Sequence, residues 1–395
     1  MNETVQVTGL GAVCATGKNV PECMETMYAG QRNPQAPQLF NVDMKDPFPV
    51  FEVQCPLPFD EDPGIVRSNR LLFKAVQEAL SMANLNLSEQ KNTRIGVCLG
   101  TTVACTLNNE PYYRSYRKEE LPDSSSIITY LKNNPALFLA RQLKCNGPVL
   151  TVTNACSSGT DAIGMAMQWL LQDRCDIVIA GGTDELCRTS YLGFASLQVT
   201  SPLPCRPFDA ERRGLNLGEG AGVLIMEKKE TVEKRNAKVL AYLCGYGTCA
   251  DAYHMTAPHP DGIGLRKALS FVFRQAGKKY EDISFINTHG TSTIANDQVE
   301  GSVLCDIFGK NIPIVSTKAY TGHTLGAAGG LETVFTICSL LDEKIPGTAG
   351  FQTFDPKCGI EPANETMPVH GNIALSTSLA FGGINSAVLI KRKDQ

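Results

Sequence analysis

The stretch that decides the fold is Val149-Leu-Thr-Val-Thr-Asn-Ala-Cys-Ser-Ser-Gly-Thr160, which leads into a long apolar run. Val149–Val152 predicts a short strand, and Thr160–Leu171 predicts a helix. Cys156 lies between the two, where free backbone N–H groups and the positive end of the helix dipole favour a thiolate. Its small neighbours, up to Gly159, leave room for a bulky group to approach the sulfur. These features predict a nucleophilic cysteine.

The rest of the chain repeats this alternation of strand and helix. The predicted strands are residues 5–13, 95–99, 177–180, 222–226, 239–245, 283–287, 312–316, 373–379 and 387–390. Helical spacing covers residues 69–83, 126–143 with a break at 133–135, 265–275, 295–308 and 325–341. Such alternation is typical of an α/β fold with mainly parallel strand pairing.

A charged stretch, Glu227–Arg235, interrupts the alternation near the middle of the chain. Because 395 residues are enough for two domains, we take it as the seam between two units, residues 1–235 and 236–395. No sequence repeat is visible between these units.

Composition excludes several classes of protein. The net charge of −4 gives no electrostatic reason to bind nucleic acid, and no apolar run is long enough to span a membrane. The chain opens directly on a predicted strand, without a signal peptide. Its 15 cysteines include no Cys-x-x-Cys pair, so neither a zinc site nor a dithiol redox site has its usual spacing. We therefore expect a cytoplasmic protein with reduced thiols and no metal or cofactor.

Two histidines lie in glycine-flanked loops. His289 follows a predicted strand and precedes Gly290, and His323 lies between Gly322 and Thr324. Loops at the carboxyl ends of strands carry the sites of open α/β sheets. Together with a cysteine, two imidazoles can support thioester acyl transfer and carbon–carbon bond formation.

Several ordered motifs make the chain resemble the elongating β-ketoacyl-acyl-carrier-protein synthases of the thiolase superfamily, the type with a Cys-His-His triad. The motifs are Asn154-Ala-Cys-Ser-Ser-Gly159, Arg206-Pro-Phe-Asp209, Leu217-Gly-Glu-Gly-Ala-Gly222, His289-Gly-Thr-Ser-Thr293 with Asn296-Asp297, Ser316-Thr-Lys318, Gly322-His323, Gly326-Ala-Ala-Gly329 and Phe381-Gly-Gly383. The resemblance covers nearly the whole chain. It implies a thiolase fold, with two similar α/β halves in a five-layer αβαβα arrangement.

The resemblance also implies roles for individual residues. Cys156 would accept the acyl chain as a thioester, while His289 and His323 would hold the malonyl thioester and assist loss of CO₂. The backbone N–H groups of Cys156 and Phe381 would form an oxyanion hole. Lys318 would orient the site, with Glu332 as its salt-bridge partner, and Asp297 would be a further supporting residue.

Some positions depart from the family pattern. Ala380 stands where these enzymes usually carry a glycine before the phenylalanine, which restricts the backbone there. The segment 105–126 is unlike that of the housekeeping enzymes, and Val103 stands where they often carry an isoleucine that lines the acyl pocket. These departures indicate a specialised synthase of a type II polyketide pathway, such as one that makes aryl polyenes, as an alternative to fatty-acid synthesis.

The partners implied are an acyl carrier protein and a second synthase-like subunit, in a homodimer or a heterodimer. Arg67, Arg70 and Lys74 share one face of a predicted helix and are candidates for docking the acidic carrier protein. Further candidates are Arg206, Arg212 and Arg213. Residues 133–137 are expected near the partner's pocket.

Three alternatives remain at this level. A degradative thiolase needs a second cysteine near the C-terminus, and Cys358 lies in a proline-containing loop instead. The initiating synthases carry asparagine where His323 stands. A chain-length factor, which shapes a heterodimer's pocket without catalysis, typically lacks the nucleophile that Cys156 supplies.

Overall fold

The structure is a computed structural model that describes residues 5–90, 92–102 and 109–394. Val103, predicted to line the acyl pocket, lies outside the described residues. A ten-stranded mixed sheet forms the centre of the protein.

Its strands are β1 (Val5–Cys14), β2 (Ile95–Gly100), β3 (Val149–Val152), β4 (Ile177–Asp184), β5 (Gly220–Glu227), β6 (Ala241–Ala250), β7 (Phe285–Asn287), β8 (Ile314–Val315), β11 (Ile373–Ala380) and β12 (Ile384–Arg392). A separate two-stranded sheet pairs β9 (Lys344–Ile345) with β10 (Met367–Pro368).

The two ends of the large sheet repeat each other. Read from the outer edge inward, β3-β2-β4-β5-β1 corresponds strand for strand to β8-β7-β11-β12-β6. In both sets the three outer strands are parallel and the inner ones antiparallel. The set β1–β5 is called the first half below, and β6–β12 the second half. The sequence shows no repeat that corresponds to this structural duplication. Equivalent strands in the two halves need the same pattern of buried residues, and they do not need the same residues.

The prediction of mainly parallel pairing was wrong. Antiparallel pairs join β1 to β5 and β6, β4 to β5, and β12 to β6 and β11. The short turn between β11 and β12 has no room for the crossover that a parallel pair requires, so these strands must be antiparallel. Since β1 pairs with β6, one sheet joins both halves, and the division at residue 235 stays a prediction.

The described helices cover both faces of this sheet. They are α1 (Val20–Tyr28), α2 (Arg67–Met82), α3 (Glu110–Arg117), α4 (Ser125–Lys132), α5 (Pro135–Leu143), α6 (Ser158–Leu171), α7 (Arg188–Ser196), α8 (Lys229–Arg235), α9 (Ile263–Ala276), α10 (Ile294–Phe308), α11 (Lys318–Thr321) and α12 (Ala328–Leu341).

Helices α6 and α12 form the central layer. They contact each other, and each contacts strands from both halves. Helix α2 lies on the outer face of the first half, and α9 on the outer face of the second. The two halves of the sheet therefore lie on either side of α6 and α12, with α2 and α9 outside them. The order of layers is helix, half-sheet, helix, half-sheet, helix.

The two central helices approach closely through glycine. A Cβ on Gly159 would lie 2.7 Å from the carbonyl oxygen of Gly326 and 2.8 Å from the nitrogen of Gly330. Gly159 therefore serves helix packing, and not the access of an acyl chain that its position after Cys156 suggested. This packing fixes the start of α6, where the nucleophile lies.

Candidate active site

Cys156 occupies a strained turn between β3 and α6. Ala155 has a left-handed φ of 49°, a conformation that costs energy for a residue with a side chain. The hydroxyl of Ser158 stabilises this turn, since it accepts the N–H of Asn154 at 2.7 Å and donates to the carbonyl of Ala155 at 2.6 Å. The turn places the Cys156 side chain in the wall of a cavity, with 4% of the residue exposed.

The Cys156 thiol is not a ready-made thiolate. Burial raises its pKa to about 11, and the charge of Lys318 and a hydrogen bond from the backbone N–H of Phe381 offset this only in part. Burial therefore opposes the thiolate that the position before a helix was expected to favour. At neutral pH the sulfur that faces the cavity is therefore a protonated thiol.

His289 follows β7 and is fixed on both its backbone and its ring. Its backbone N–H donates to Glu300 at 2.8 Å, and Glu300 also accepts the N–H of Gly290 and the hydroxyl of Thr377. The Lys318 ammonium lies 3.1 Å from the ring Nδ1. Because an ammonium can only donate, Nδ1 is the acceptor and the ring proton resides on Nε2. Burial, followed by the charge of Lys318, holds the pKa of His289 well below its usual range.

His323 adopts the same tautomer by a different route. The backbone N–H of Leu325 donates to its Nδ1 at 3.2 Å, which leaves the proton on Nε2. Burial, followed by the charge of Lys318, also keeps the pKa of His323 well below its usual range. The His289 and His323 ring centres are 5.3 Å apart. Two neutral imidazoles, each with one N–H to donate, thus meet edge to face.

Lys318 is buried with Glu332 as its ion-pair partner. Both residues are 2% exposed, and the ammonium contacts one oxygen of the carboxylate. Burial raises the pKa of Glu332 to about 7 even beside this cation. The pairing expected from sequence is present, and it leaves the ammonium facing His289.

Phe381 lies in the turn between β11 and β12. Its ring stacks on that of Phe194, with centres 5.5 Å apart, and Phe194 meets His323 edge-on at 6.5 Å. The turn is closed by glycines, with φ of 86° at Gly382 and 77° at Gly383. Ala380 is the last residue of β11, and its φ is not positive. The backbone at this position therefore does not require a glycine.

These residues surround one cavity of about 240 Å³. Cys156, His289, His323 and Phe381 line it together. The other lining residues are Phe194, Gln198, Val199, Arg213, Gly214, Leu215, Asp251, Thr256, Ala257, Pro258, Thr291, Thr293, Ile294, Ala295, Asn296, Leu379, Ala380, Gly383 and Asn385. Ile294, with 60% of its surface exposed, marks the mouth, and the cavity runs from there to the sulfur.

Asp297 stands outside this cavity and shapes one of its walls. Its carboxylate accepts the backbone N–H groups of Phe208 at 2.8 Å and Ser292 at 3.1 Å. It also faces the Arg212 guanidinium at 3.6 Å. Burial raises its pKa to about 6. Asp297 therefore holds the loop that follows His289.

Two of the arginines predicted to dock a carrier protein point inward. Arg67 makes two hydrogen bonds to the fully buried Glu219, at 2.6 and 2.9 Å. Arg212 is 5% exposed and pairs with Asp355 at 2.7 Å. Helical spacing placed Arg67 on a face, but only the fold shows that the face meets a buried carboxylate.

The remaining candidates lie nearer the surface. The Arg70 guanidinium folds back onto Asp60 at 3.2 Å, whereas Lys74 is half-buried. Arg213 is exposed at the cavity and, with Arg206, borders a small adjoining pocket. Among these candidates, Arg213 is the exposed cation that also lines the cavity.

Sequence reasoning missed Phe194 and Glu300 as parts of this site. Glu300 had a weak signal, because it follows Asn296 by one helical turn on a buried face of α10. Phe194 had none, since α7 was not predicted at all.

Family models match both halves of the chain. Residues 57–232 match the model of the beta-ketoacyl synthase N-terminal domain, and residues 240–352 match that of its C-terminal domain. The chain belongs to the beta-ketoacyl synthase family.

Individual relatives agree with this assignment. The chain is 33% identical to 3-oxoacyl-[acyl-carrier-protein] synthase 2 of Synechocystis sp., over 98% of both chains. Among solved structures, it resembles the ishigamide ketosynthase/chain length factor, with a TM-score of 0.93 and 26% identity over all of both chains. It also resembles a chain in the structure of a type II polyketide acyl-carrier protein in complex with its ketosynthase bound to the hexaketide. The TM-score is 0.89, with 27% identity over all of both chains. The thiolase-like fold of the ketosynthases, predicted from sequence, is confirmed.

Proposed function

We propose that this protein condenses an acyl thioester with malonyl-acyl carrier protein, releasing CO₂ and forming 3-oxoacyl-acyl carrier protein. The observation that carries the proposal is the single cavity that unites the Cys156 thiol, the Nε2–H donors of two neutral imidazoles and the N–H of Phe381.

The first step is acyl transfer to Cys156. The sulfur attacks the carrier thioester, and the carbonyl electrons move onto oxygen. The backbone N–H groups of Cys156 and Phe381 are the donors for this oxyanion. Collapse expels the carrier thiolate, which takes up the proton that the thiol loses. Because burial raises the pKa of Cys156 to about 11, proton loss accompanies attack.

The second step is decarboxylation of the malonyl thioester. The Nε2–H groups of His289 and His323 donate to its thioester carbonyl, so the negative charge that develops on this oxygen as CO₂ leaves is stabilised. The enolate carbon then attacks the acyl-Cys156 carbonyl, and the sulfur leaves as a thiolate that regains a proton from solvent. Neutral imidazoles suit this role, since each offers a donor while Nδ1 is occupied by Lys318 or Leu325.

The proposed carrier approaches the cavity mouth. The exposed Arg213, together with Arg206 beside it, offers positive charge there to an acidic carrier protein. Lys74 remains a further candidate, while Arg67 is committed to Glu219.

We further propose a dimer, formed with a second copy or with a related ketosynthase-like subunit. Strand β3 is an edge strand of the large sheet as far as the chain is described, so another chain could pair with its outer side. Exposed apolar side chains lie on this strand and on the two helices that flank it in sequence: Leu137, Leu150 and Met165. Both partners would gain by covering them.

The alternatives fit the site less well. A chain-length factor would not need the His289 and His323 tautomers that the structure provides. A degradative thiolase needs a second cysteine in the cavity, yet among the described residues Cys156 is the one cysteine in its lining. Cys358 is buried elsewhere, against Gly301 and Asp355.

We propose a cytoplasmic enzyme of fatty-acid or type II polyketide synthesis. No described helix is long and apolar enough to cross a membrane. Val103→Phe, at a position outside the described residues, should shorten the longest acyl chain accepted.

The test measures the two steps separately. Wild-type protein incubated with acyl-carrier proteins should acquire an acyl adduct on Cys156, and Cys156→Ala should not. Cys156→Gln should release labelled CO₂ from malonyl-carrier protein without condensing, because the amide resembles an acylated thiol. His289→Ala and His323→Ala should lose this release. An adduct on another cysteine, or undiminished release by both histidine variants, would refute the mechanism.

A further inference from the structure

Asp161 is a buried carboxylate that the mechanism above does not use. It lies in the first turn of α6, five residues after Cys156, and is 5% exposed. Its two oxygens accept four side-chain hydrogen bonds. So many partners for one carboxylate indicate that it holds several elements in a defined arrangement.

One oxygen holds the turn that carries the nucleophile. Asp161 Oδ2 accepts from the amide of Asn154 at 2.6 Å and from the hydroxyl of Ser157 at 2.8 Å. These two residues flank the strained Ala155 and Cys156. The carboxylate thereby fixes the backbone on both sides of the Cys156 N–H.

The other oxygen reaches the second half of the protein. Asp161 Oδ1 accepts from the hydroxyl of Tyr246, on β6, at 2.9 Å and from that of Ser386, on β12. Ser386 lies five residues after Phe381, on the strand that leaves its turn. The neighbouring Thr160 bonds Ser378 at 2.7 Å, on the strand that enters the same turn.

A glycine makes the contact with Tyr246 possible. A Cβ on Gly164 would lie 2.3 to 2.5 Å from three carbons of the Tyr246 ring. Because the ring lies flat against α6 at this position, its hydroxyl can reach back to Asp161. Sequence separation hides this link, since Tyr246 is 85 residues from Asp161.

We infer that Asp161 is a positioning residue that sets the spacing between the backbone N–H groups of Cys156 and Phe381. The inference rests on the proposed function, in which these two groups receive the thioester oxygen. Their spacing matters only when that oxygen becomes negative, in the attack on and collapse of the acyl thioester. Decarboxylation depends instead on His289 and His323, which Asp161 does not contact among its hydrogen bonds.

The two steps therefore respond differently to Asp161→Asn. The amide keeps the shape of the carboxylate but replaces one acceptor oxygen with a donor, so two of the four hydrogen bonds are lost. A misplacement of about 1 Å costs on the order of 100-fold in rate. We expect acylation of Cys156 to slow by about 10- to 100-fold. In a Cys156→Gln background, CO₂ release from malonyl-carrier protein should change by less than about twofold with Asp161→Asn.

Tyrosine variants provide a matched pair. Tyr246→Phe removes the hydrogen bond to Asp161 and should slow acylation with no change in CO₂ release. Tyr28→Phe removes a bond of the same length, 2.9 Å, from a tyrosine to Asp342 at another place in the fold. It should leave both reactions unchanged.

Acylation and CO₂ release would be measured by mass spectrometry of quenched samples and by labelled CO₂, on the full chain with malonyl- and acyl-carrier proteins. Undiminished acylation in folded Asp161→Asn or Tyr246→Phe would overturn the inference, as would an equal loss of both reactions. If Asp161→Asn does not fold, Tyr246→Phe and Tyr28→Phe decide the question. Wild-type protein that forms no adduct on Cys156 would contradict the proposed function itself.

Discussion

Lys318 has two tasks in this site, and variants can separate them. Its ammonium neutralises the buried Glu332, which is a matter of stability. The same ammonium donates to Nδ1 of His289, which determines the tautomer that the proposed mechanism requires. Lys318→Met removes both interactions while roughly preserving the length of the side chain.

The expected loss of stability follows from burial. Lys318 and Glu332 are each 2% exposed, so neither can regain full hydration when its partner is removed. Breaking a buried ion pair costs about 3–5 kcal/mol. Glu332→Gln should cost a similar amount, since it leaves the ammonium unpaired. The double variant should lose less than the sum of the single variants, by about 0.5–3 kcal/mol.

Activity should follow a different pattern. CO₂ release should fall in both variants that lack Lys318, because Nδ1 of His289 then has no donor to keep the proton on Nε2. Glu332→Gln keeps the ammonium beside His289, so it should retain most of the CO₂ release. Urea unfolding gives the free energies, and labelled malonyl-carrier protein gives the release. Additive losses of stability would refute the coupling, and full release by folded Lys318→Met would refute the tautomer assignment.

Thiol reactivity, pH-dependent stability and the charge on α2 can each be tested as well. Iodoacetamide should alkylate Cys156 slowly at pH 7, and the rate should rise about tenfold per pH unit up to pH 9, because burial raises the thiol's pKa to about 11. The rate is measured on the Cys156 peptide. A plateau in this rate below pH 9 would contradict the raised pKa. The pKa of His323 is depressed in the folded protein, so as the pH falls below 6.5 the imidazole is protonated in the unfolded chain before it is protonated in the folded one. The free energy of unfolding therefore decreases by up to about 1.4 kcal/mol per pH unit. Relative to wild type, His323→Gln should flatten the decline of the unfolding free energy between pH 6.5 and 5, and parallel curves would argue against a buried neutral ring. Arg67→Glu places a second carboxylate against Glu219 and should cost about 3–5 kcal/mol of stability. Lys74→Glu, on the same helix, should cost less than about 0.5 kcal/mol. Equal unfolding midpoints for the two variants would show that the Arg67–Glu219 pair does not stabilise the fold.

Local sequence determined many of the elements. Val149–Val152 and the helix after it were predicted within two residues, and the break at Asn133–Pro135 separates α4 from α5 as expected. These features depend on hydrophobic spacing and on the backbone restrictions of proline, which act over a few residues. Cys156, His289 and His323 were found in the same way, since each lies in a loop beside small residues.

Properties that depend on burial required the tertiary structure. The pKa of Cys156 rises because the surrounding fold excludes water from the sulfur, and the charge of Lys318 offsets this only in part. Arg67 illustrates the same limit, because its helix face was predictable and the buried Glu219 opposite it was not.

Pairing over long distances in sequence decided the remainder. Asp161 accepts hydrogen bonds from Tyr246 and Ser386, and Lys318 contacts the ring of His289. In each case the two residues are far apart in the sequence. The sequence by itself determined the reactive groups and the elements that carry them. Only the tertiary structure decided their tautomers, their charge states and their spacing, because those depend on atoms that the fold brings together from distant parts of the chain.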